Sequence, residues 1–260
     1  TMTAVDGFRI FGADAGDQAG ISVSSAGDIN GDGFADLIVG ACLGDGAANS
    51  KSYAGEAIVV FGKAGGYTDI DVSAADFVSS GAGFRIFGTD AGDQAGWSVS
   101  SAGDINGDGF ADLIVGATGG DGAANGKTDA GEAIVIFGGD FLGSVVHAGT
   151  SGDDVLTGTA ASETFVGGQG NDLMVGNGGD DSFHGGAGDD IISVADLAFR
   201  KIDGGSGVDT VDLDAAGSAL DLAGVAGARP GRGRGAVVGG GRAAGEEEGG
   251  GGHRDREPGR

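Results

Sequence analysis

The sequence predicts an all-β protein built from two kinds of repeat and a C-terminal tail. Glycine accounts for 61 of the 260 residues, without the three-residue period of collagen, which is typical of a chain dense in turns. Residues 7–63 return at 83–139 with nine differences in 57 positions. Further along, a glycine recurs at every ninth residue from Gly149 to Gly185. These three observations predict β-repeats and argue against a helical protein.

Each copy of the long repeat contains four segments with strand character. β-Branched and aromatic residues fill these segments, and Gly, Asp and Asn separate them. In the first copy the predicted strands are Phe8–Phe11, Ile21–Ser25, Asp36–Ala41 and Glu56–Phe61. Four antiparallel strands in a unit that repeats after 76 residues predict one blade of a β-propeller. A closed propeller needs about four to eight blades. Two blades therefore indicate a fragment, which we favour, or an open arrangement.

The same nine residues, DINGDGFAD, separate the second and third predicted strands of both copies. Oxygen-bearing side chains occupy positions 1, 3, 5 and 9, and Gly occupies position 6. Calcium takes about six to eight oxygen ligands, which such a loop supplies from its side chains and its position-7 carbonyl. An EF-hand would have Glu at position 12, where this chain has Val39 and Val115. The alternative is an Asx-rich turn without metal, but the repetition of the whole ligand set favours calcium.

With its flanking residues 20–23 and 37–41, this loop resembles the FG-GAP repeat, the blade of integrin α-chain propellers. The resemblance covers residues 7–63 and 83–139. It implies calcium ligands at Asp28, Asn30, Asp32, the Phe34 carbonyl and Asp36, and at Asp104, Asn106, Asp108, the Phe110 carbonyl and Asp112. The chain departs from the family pattern at Ala19 and Ala95, which replace its Phe, and at Cys42 and Thr118, which replace its Pro. These departures change packing and leave the ligands intact, and Cys42 is expected to be a packing residue.

The second half of the chain consists largely of nine-residue repeats. In register they read GTSGDDVLT, GTAASETFV, GGQGNDLMV, GNGGDDSFH and GGAGDDIIS, and one further unit follows at residues 204–211. The sixth position is always acidic and the eighth always apolar. This pattern resembles the GGxGxDxUx nonapeptide of RTX (haemolysin-type) calcium-binding proteins, which implies a parallel β-roll over about 149–212. The alternative is a disordered Gly/Asp-rich linker, against which the regular apolar positions argue.

Two nonapeptides make one coil of such a roll, so residues 18 apart are expected to stack. The first column then aligns Asp154, Asp172 and Asp190, with Gly168 and Gly170 in its turns. The second column contains Glu163 and Asp181, has no Gly at the fourth position of its first unit, and fails at 194–199. We expect calcium between successive turns of the first column and weaker binding at Asp181. A roll with so small a core should fold only when calcium binds.

These patterns divide the chain into four parts. Residues 1–140 form the two blades, 141–148 a linker, 149–226 the roll, and 227–260 a low-complexity tail. The tail holds both prolines and a charge of 7 − 5 = +2, against 7 − 34 = −27 for residues 1–226. Its composition predicts disorder or a frameshifted translation.

Composition and missing motifs exclude several function classes. A net charge of −25 disfavours nucleic acid and anionic membranes as partners. There is no run of 18 apolar residues, which predicts no membrane span, and no signal peptide at the start. No H-E-x-x-H, G-x-S-x-G or phosphate-loop motif occurs, so we expect no enzyme. His184 is expected on the surface, and Trp97 is expected in blade packing.

Together these features predict a calcium-binding secreted or cell-surface protein, with Ca²⁺ as its cofactor and export by a type I route. One alternative is an integrin-like adhesion module that binds an extracellular protein or glycan. The other is an accessory region of a larger secreted enzyme.

Overall fold

The structure, a computed structural model, describes residues 7–213 and the backbone of 228–230 and 235–238. Nearly all regular structure in these residues is β, which confirms the predicted class. The helices found there are two single 3₁₀ turns, Ala47–Asn49 and Ala123–Asn125, at equivalent places in the two copies. No helix in this part of the chain is long and apolar enough to span a membrane.

Nine strands form the first half of the chain. They are β1 (Ile10–Phe11), β2 (Ser22–Gly27), β3 (Asp36–Ala41), β4 (Glu56–Val60), β5 (Ile70–Asp71), β6 (Gly83–Phe87), β7 (Ala95–Gly103), β8 (Asp112–Ala117) and β9 (Glu132–Ile136). The first blade is the antiparallel sheet β2-β3-β4-β6, and the second is the antiparallel sheet β7-β8-β9. Strands β1 and β5 form a separate parallel pair.

The outer strand of the first blade comes from the second copy of the repeat. Strand β6 pairs antiparallel with β4, from Glu56 opposite Phe87 to Val60 opposite Gly83. The sequence analysis counted Phe8–Phe11 among the four strands of this blade, but that segment supplies β1, which pairs with β5. Because GFRIF stands at both 7–11 and 83–87, composition could not decide between them. The chain path decides, since β6 leads directly into the second blade.

The two blades pack face to face around a shared apolar core. Ile38 and Val59 of the first blade and Leu113 and Val115 of the second are completely buried there. The opposite face of the first blade is covered by Val72 and Phe77 of the connection between the copies, together with partly buried Ile10 and Ile70. The first blade is thus covered on both faces, which explains why all five residues of β4 are buried.

Eight parallel strands form the roll. They are β10 (His147–Ala148), β11 (Val155–Thr157), β12 (Thr164–Gln169), β13 (Leu173–Val175), β14 (Ser182–Ala187), β15 (Ile191–Val194), β16 (Lys201–Asp203) and β17 (Thr210–Leu213). They make two facing sheets, β10-β12-β14-β16 and β11-β13-β15-β17. The predicted 18-residue step is present, with Phe165 beside Phe183 and Met174 beside Ile192. The irregular stretch lengthens the last step to 19, which places Ile202 beside Phe183.

The roll closes on a narrow apolar core. Phe165, Met174, Phe183 and Ile192, all at the eighth position of their units, are completely buried. The rings of Phe165 and Phe183 stack with centroids 4.8 Å apart, and His147 continues the stack on Phe165 at 4.5 Å. The roll therefore begins at His147, within the segment expected to be a linker.

The expected disorder of the tail falls mostly on residues outside the described part. The exceptions are β18 (Ala228–Pro230) and β19 (Gly235–Val238), which the sequence analysis did not predict. Strand β19 pairs antiparallel with β17 and with β18, so it extends the second sheet of the roll.

Truncating the central ring of the roll should unfold it selectively. Phe183→Ala removes a completely buried ring, which costs about 3–5 kcal/mol in comparable cores. We expect a matching fall in the free energy of unfolding, measured by urea denaturation in saturating calcium. Val155→Ala, at a side chain that is 70% exposed, is the matched control and should change it by less than about 0.5 kcal/mol. Equal losses in the two variants would contradict this account of the core.

Candidate metal centres

The two DINGDGFAD loops adopt the same hydrogen-bonded turn. The carboxylate of Asp28 accepts hydrogen bonds from the backbone N–H groups of Asp32 and Gly33, at 3.0 and 2.9 Å. Asp104 accepts from Asp108 and Gly109 at 3.1 and 2.8 Å. The turn needs glycine because Gly31 and Gly33 have φ values of 70° and 87°.

The middle residues of each loop are tied to one another. The Asn30 amide donates to Asp32 at 3.0 Å, and the Asn106 amide donates to Asp108 at 2.7 Å. The backbone N–H of Phe34 donates to Asp32 at 2.8 Å, and that of Phe110 donates to Asp108 at 3.0 Å. Positions 1, 3 and 5 of each loop are therefore gathered on one turn, and the donor set consists of oxygen atoms, which hard cations prefer.

The ninth residue of each loop fastens it to the blade. Asp36 is completely buried, and it accepts hydrogen bonds from the backbone N–H groups of Ile29 at 2.9 Å and Gly62 at 2.7 Å. Burial raises the pKa of Asp36 from 3.8 to about 7, and the charges of Asp28 and Asp32 add to the rise. Asp112 is held identically by Ile105 and Gly138. Each loop thus carries at its ninth position a buried carboxylate held by two backbone N–H groups.

The roll contacts the first loop with three basic side chains. His184 Nε2 lies 3.1 Å and Lys201 Nζ lies 3.5 Å from Asp28 Oδ2. Arg200 donates to the Asp32 carbonyl at 3.2 Å. Burial alone would raise the pKa of Asp28, but His184 and Lys201 outweigh that effect and hold its pKa below its usual range.

The second loop meets the roll without a basic group. Its contact there is a hydrogen bond from the Gln169 amide to the Asn106 carbonyl, 2.8 Å long. No ion pair to Asp104 occurs among residues 7–213, and burial raises the pKa of Asp104. Because Lys201 opposes a cation at Asp28, the second loop is the better candidate for a calcium site of two loops with identical sequence.

Beside these contacts, a cavity of about 410 Å³ lies between the two loops and the roll. Asp28 and Asp104 lie on its blade side, and His184, Lys201 and Ser206 lie on its roll side. His184 is only 4% exposed because the first blade covers it, so the expectation of a surface imidazole was wrong.

The first column of the roll is a ladder of buried aspartates. The backbone N–H of Asp154 donates to Asp172 Oδ1 at 2.8 Å, and that of Asp172 donates to Asp190 Oδ1 at 2.8 Å. A third rung joins Asp190 to Asp209 at 3.0 Å. The second oxygens of Asp172 and Asp190 are buried without a hydrogen-bond donor among the residues described. Burial raises the pKa of Asp172, and it raises that of Asp190 to about 6.

Glycine shapes the space around these free oxygens. A Cβ atom on Gly167 would lie 2.4 Å from Asp172 Oδ2, and one on Gly185 would lie 2.3 Å from Asp190 Oδ2. Gly168 and Gly170 have φ values of 100° and 107°, and their carbonyl oxygens point at the next turn, 1.9 and 1.8 Å from where Cβ atoms of Gly186 and Gly188 would stand. Carboxylate and carbonyl oxygens therefore alternate along this column, which fits calcium.

The second column is built differently. Glu163 donates its backbone N–H to Asp181 Oδ1 at 2.9 Å, but the next step along the column is the irregular loop. There the backbone N–H of Arg200 donates to the Asp181 carbonyl at 2.7 Å, and the Arg200 guanidinium lies 3.4 Å from Asp180. An arginine thus stands where the first column has another aspartate turn.

Any ion in these sites would take many of its ligands from neutral oxygens. Within residues 7–213, no three His, Cys, Asp or Glu side chains gather at metal-binding distance. The amide and carbonyl oxygens of the blade loops and the glycine carbonyls of the roll would have to complete the coordination shell.

Two further expectations can be compared with the structure. Cys42 is a buried free cysteine, 1% exposed, as expected of a packing residue. Trp97 is 48% exposed on β7, so its assignment to blade packing was wrong. The sequence analysis did not identify Lys201 as part of a candidate site. It recognised the unit 204–211 but did not place Asp209 in the first column, because the irregular stretch interrupts the 18-residue step.

Comparison with known proteins defines the class of repeat protein. The FG-GAP repeat model matches residues 19–60 and 95–136, and the model of the RTX calcium-binding nonapeptide repeat (4 copies) matches 148–174 and 157–192. The chain therefore contains FG-GAP repeats followed by RTX calcium-binding repeats. Integrin alpha-E of Mus musculus is 37% identical over 99 residues, which cover 38% of this chain and 8% of that relative. The chain thus spans less than a tenth of the length of this curated relative.

Removing an aspartate from the first column should reduce calcium binding more than removing one from the second column. Asp172→Ala deletes a free buried oxygen between two aspartate turns, whereas Asp181→Ala deletes a carboxylate beside Arg200. Isothermal titration with calcium should show fewer ions bound, or affinity weakened at least about tenfold, in Asp172→Ala. In Asp181→Ala the number of calcium ions bound and their affinity should stay close to those of the unaltered chain. Equal losses would contradict the difference between the columns.

In the absence of calcium the folded chain should become more stable as the pH falls from 7.5 to 5. Asp36 and Asp190 have folded pKa values of about 7 and 6, above the ordinary value of 3.8, so folding takes up protons in this range. The stability from protonation is complete below about pH 4 and is lost as the pH rises through 6 to 7. The lowered pKa values of Asp28 and Glu163 act in the opposite direction only near and below pH 4.

Far-UV circular dichroism of the full chain in chelator at several pH values measures this dependence. The β signal should rise toward pH 5, and Asp190→Asn should flatten the rise because it removes one of the titrating groups. A β signal that falls steadily from pH 7.5 to 5 would contradict the prediction.

Proposed function

We propose that this chain is an extracellular calcium-binding module whose roll is held together by ions along the Asp154–Asp172–Asp190 column. One observation carries the proposal: Asp172 and Asp190 are buried, and each keeps a carboxylate oxygen without a donor. Ionised carboxylates buried in this way strongly destabilise a fold unless a cation balances them. The column contains no basic side chain in the described roll, so a divalent cation is the partner that its oxygens fit.

The proposed location follows from affinity and composition. Calcium modules outside cells bind at about 10⁻⁴–10⁻³ M, far above resting cytosolic calcium. A chain with a net charge of −25 would then stay unfolded inside the cell and fold outside. This behaviour suits export by a type I route, which the RTX repeats also support. In this proposal the chain has no catalytic role and forms part of a longer secreted or cell-surface protein, whether an adhesin or the accessory region of an enzyme.

A second candidate function, ligand binding by the blades, is supported by a different observation. Trp97 replaces Ile21 of the first copy and is 48% exposed on β7. Exposed tryptophan is enriched where proteins bind other molecules, and the relative with a similar segment is an integrin α chain. We propose an extracellular protein or glycan as the ligand class, with neither nucleic acid nor membrane as a partner.

Far-UV circular dichroism of the full chain during a calcium titration tests the calcium proposal. We expect a cooperative gain of β signal at sub-millimolar to millimolar calcium and no gain with magnesium, which fits poorly in a site rich in carbonyl oxygens. Asp172→Ala should shift the midpoint to higher calcium, and Asp153→Ala, at an exposed residue in the preceding turn of the same column, serves as the matched control. A β-rich spectrum that is unchanged by chelator would overturn the proposal.

A further inference from the structure

The first blade shows how these blades bind an outer strand. Strand β6 reaches β4 with Arg85 Nε donating to the carboxylate of buried Glu56 at 2.8 Å. The Phe84 ring packs on Phe61, with centroids 5.8 Å apart. Gly83 permits the close approach, because a Cβ there would lie 1.9 Å from the Val59 carbonyl oxygen.

The second blade presents the same surface without an outer strand. Strand β9 reads EAIVI where β4 reads EAIVV, and within the described residues nothing pairs with its outer edge. Val135 is 41% exposed and Phe137 is 55% exposed, whereas their counterparts Val59 and Phe61 are 0% and 5% exposed. An open apolar strand edge of this kind is a template for another strand.

The exposure continues across the face of the second blade. Ile105 and Ile114 are 55% and 36% exposed, and their counterparts Ile29 and Ile38 are completely buried by the neighbouring blade. The edge and the face are thus one surface, formed by residues that are buried in the first copy.

The five-residue sequence of β6, which pairs with this edge in the first blade, occurs a second time in the chain. Gly7–Phe11 reads GFRIF, identical to Gly83–Phe87. It already has the same conformation: φ is 148° at Gly7 and 159° at Gly83. In addition, the Arg9 guanidinium lies 4.9 Å from the Phe11 ring, as that of Arg85 lies 4.8 Å from the Phe87 ring.

This N-terminal strand has one edge in use and one edge open. The carbonyls of Arg9 and Phe11 accept hydrogen bonds from the backbone N–H groups of Ile70 and Val72. The backbone groups of Arg9 and Phe11 therefore face β5. Alternate residues of a strand direct their backbone groups to opposite edges. The backbone groups of Phe8 and Ile10 therefore face away from β5, and their counterparts in β6 are the ones that pair with β4.

The charges on the two strands are complementary. Glu132 occupies the place of Glu56 and has no ion pair within residues 7–213. Arg9 pairs with Asp69 at a solvent-exposed site, which is worth little and is easily exchanged. An Arg9–Glu132 pair across the new edge would repeat the Arg85–Glu56 pair of the first blade.

We propose that a second copy of this chain adds its Gly7–Phe11 strand, antiparallel, to the open edge of β9. In the register of the first blade, Phe11 lies opposite Glu132 and Gly7 lies opposite Ile136. The contact is head to tail, because the donor's own β9 remains open. Such contacts generate rings or filaments instead of closed two-fold dimers.

Sedimentation velocity of the full chain in millimolar calcium, over a concentration series, tests the proposal. The mean mass should rise beyond that of a dimer as concentration increases. Val135→Pro removes an outward-facing N–H, which an edge strand tolerates, and should weaken association at least about tenfold. Its circular dichroism should remain that of the unaltered chain. Val23→Pro, at an exposed residue of the first blade, is the matched control for the effect of proline.

A charge exchange tests the partner strand and its direction. Glu132→Arg alone and Arg9→Glu alone should each weaken association at least about tenfold, because each places like charges across the edge. An equimolar mixture of the two variants should associate again, since each then offers an opposite charge to the other.

The outcomes separate this proposal from others. Recovery in the mixture supports strand addition by the N-terminal strand. A monomer at every concentration would overturn the proposal. So would association that is insensitive to Arg9→Glu, which would indicate pairing of two β9 edges instead. Because all samples contain calcium and are checked for folding, failure here is distinguishable from failure of the calcium proposal.

Discussion

Uncompensated negative charge is the constraint on which this fold depends. Residues 1–226 carry 34 acidic and 7 basic side chains, so most carboxylates have no protein cation to balance them. The roll brings carboxylates closest together, because hydrogen bonds along the ladder align Asp154, Asp172 and Asp190, of which Asp172 and Asp190 are buried. The glycine turns that make the ladder possible also leave room beside each free oxygen. A small apolar core of stacked rings offsets little of this charge, which is why we propose that cations stabilise the roll.

Two of the seven Lys and Arg residues in 7–213 lie where the two halves of the chain meet. Arg200 and Lys201 belong to the irregular stretch of the roll and to β16, and both contact the first blade loop. Together with His184 they offset part of the negative charge that a metal ion would otherwise balance in that loop. The second loop has no such contact among the described residues. Identical sequences thus acquire different electrostatics from their surroundings. One loop becomes a contact between modules, and the other remains the better candidate for binding calcium.

The sequence predicted those features of the fold that depend on a pattern of residues close together in the chain. The nine-residue period identified the parallel strands, their 18-residue step and the buried eighth positions, because each unit repeats its own local geometry. It could not place the outer strand of the first blade, since GFRIF occurs twice and only the path of the chain distinguishes the copies. It also missed burial that arises between modules, as at His184. It also misplaced Trp97, which is 48% exposed, much like its counterpart Ile21 at 49%.

The exchange of the outer strand between copies sets an order of events during synthesis. The first blade is completed by residues 83–87, so it remains a three-stranded sheet until residue 87 has been made. Strand β4 ends at Val60, and the earlier GFRIF segment is present throughout that interval. The contact that closes the blade joins positions about thirty residues apart, such as Glu56 and Arg85, and such separations slow folding. The nascent chain therefore passes through a stage in which Gly7–Phe11 has been made and Gly83–Phe87, the copy that completes the blade, has not.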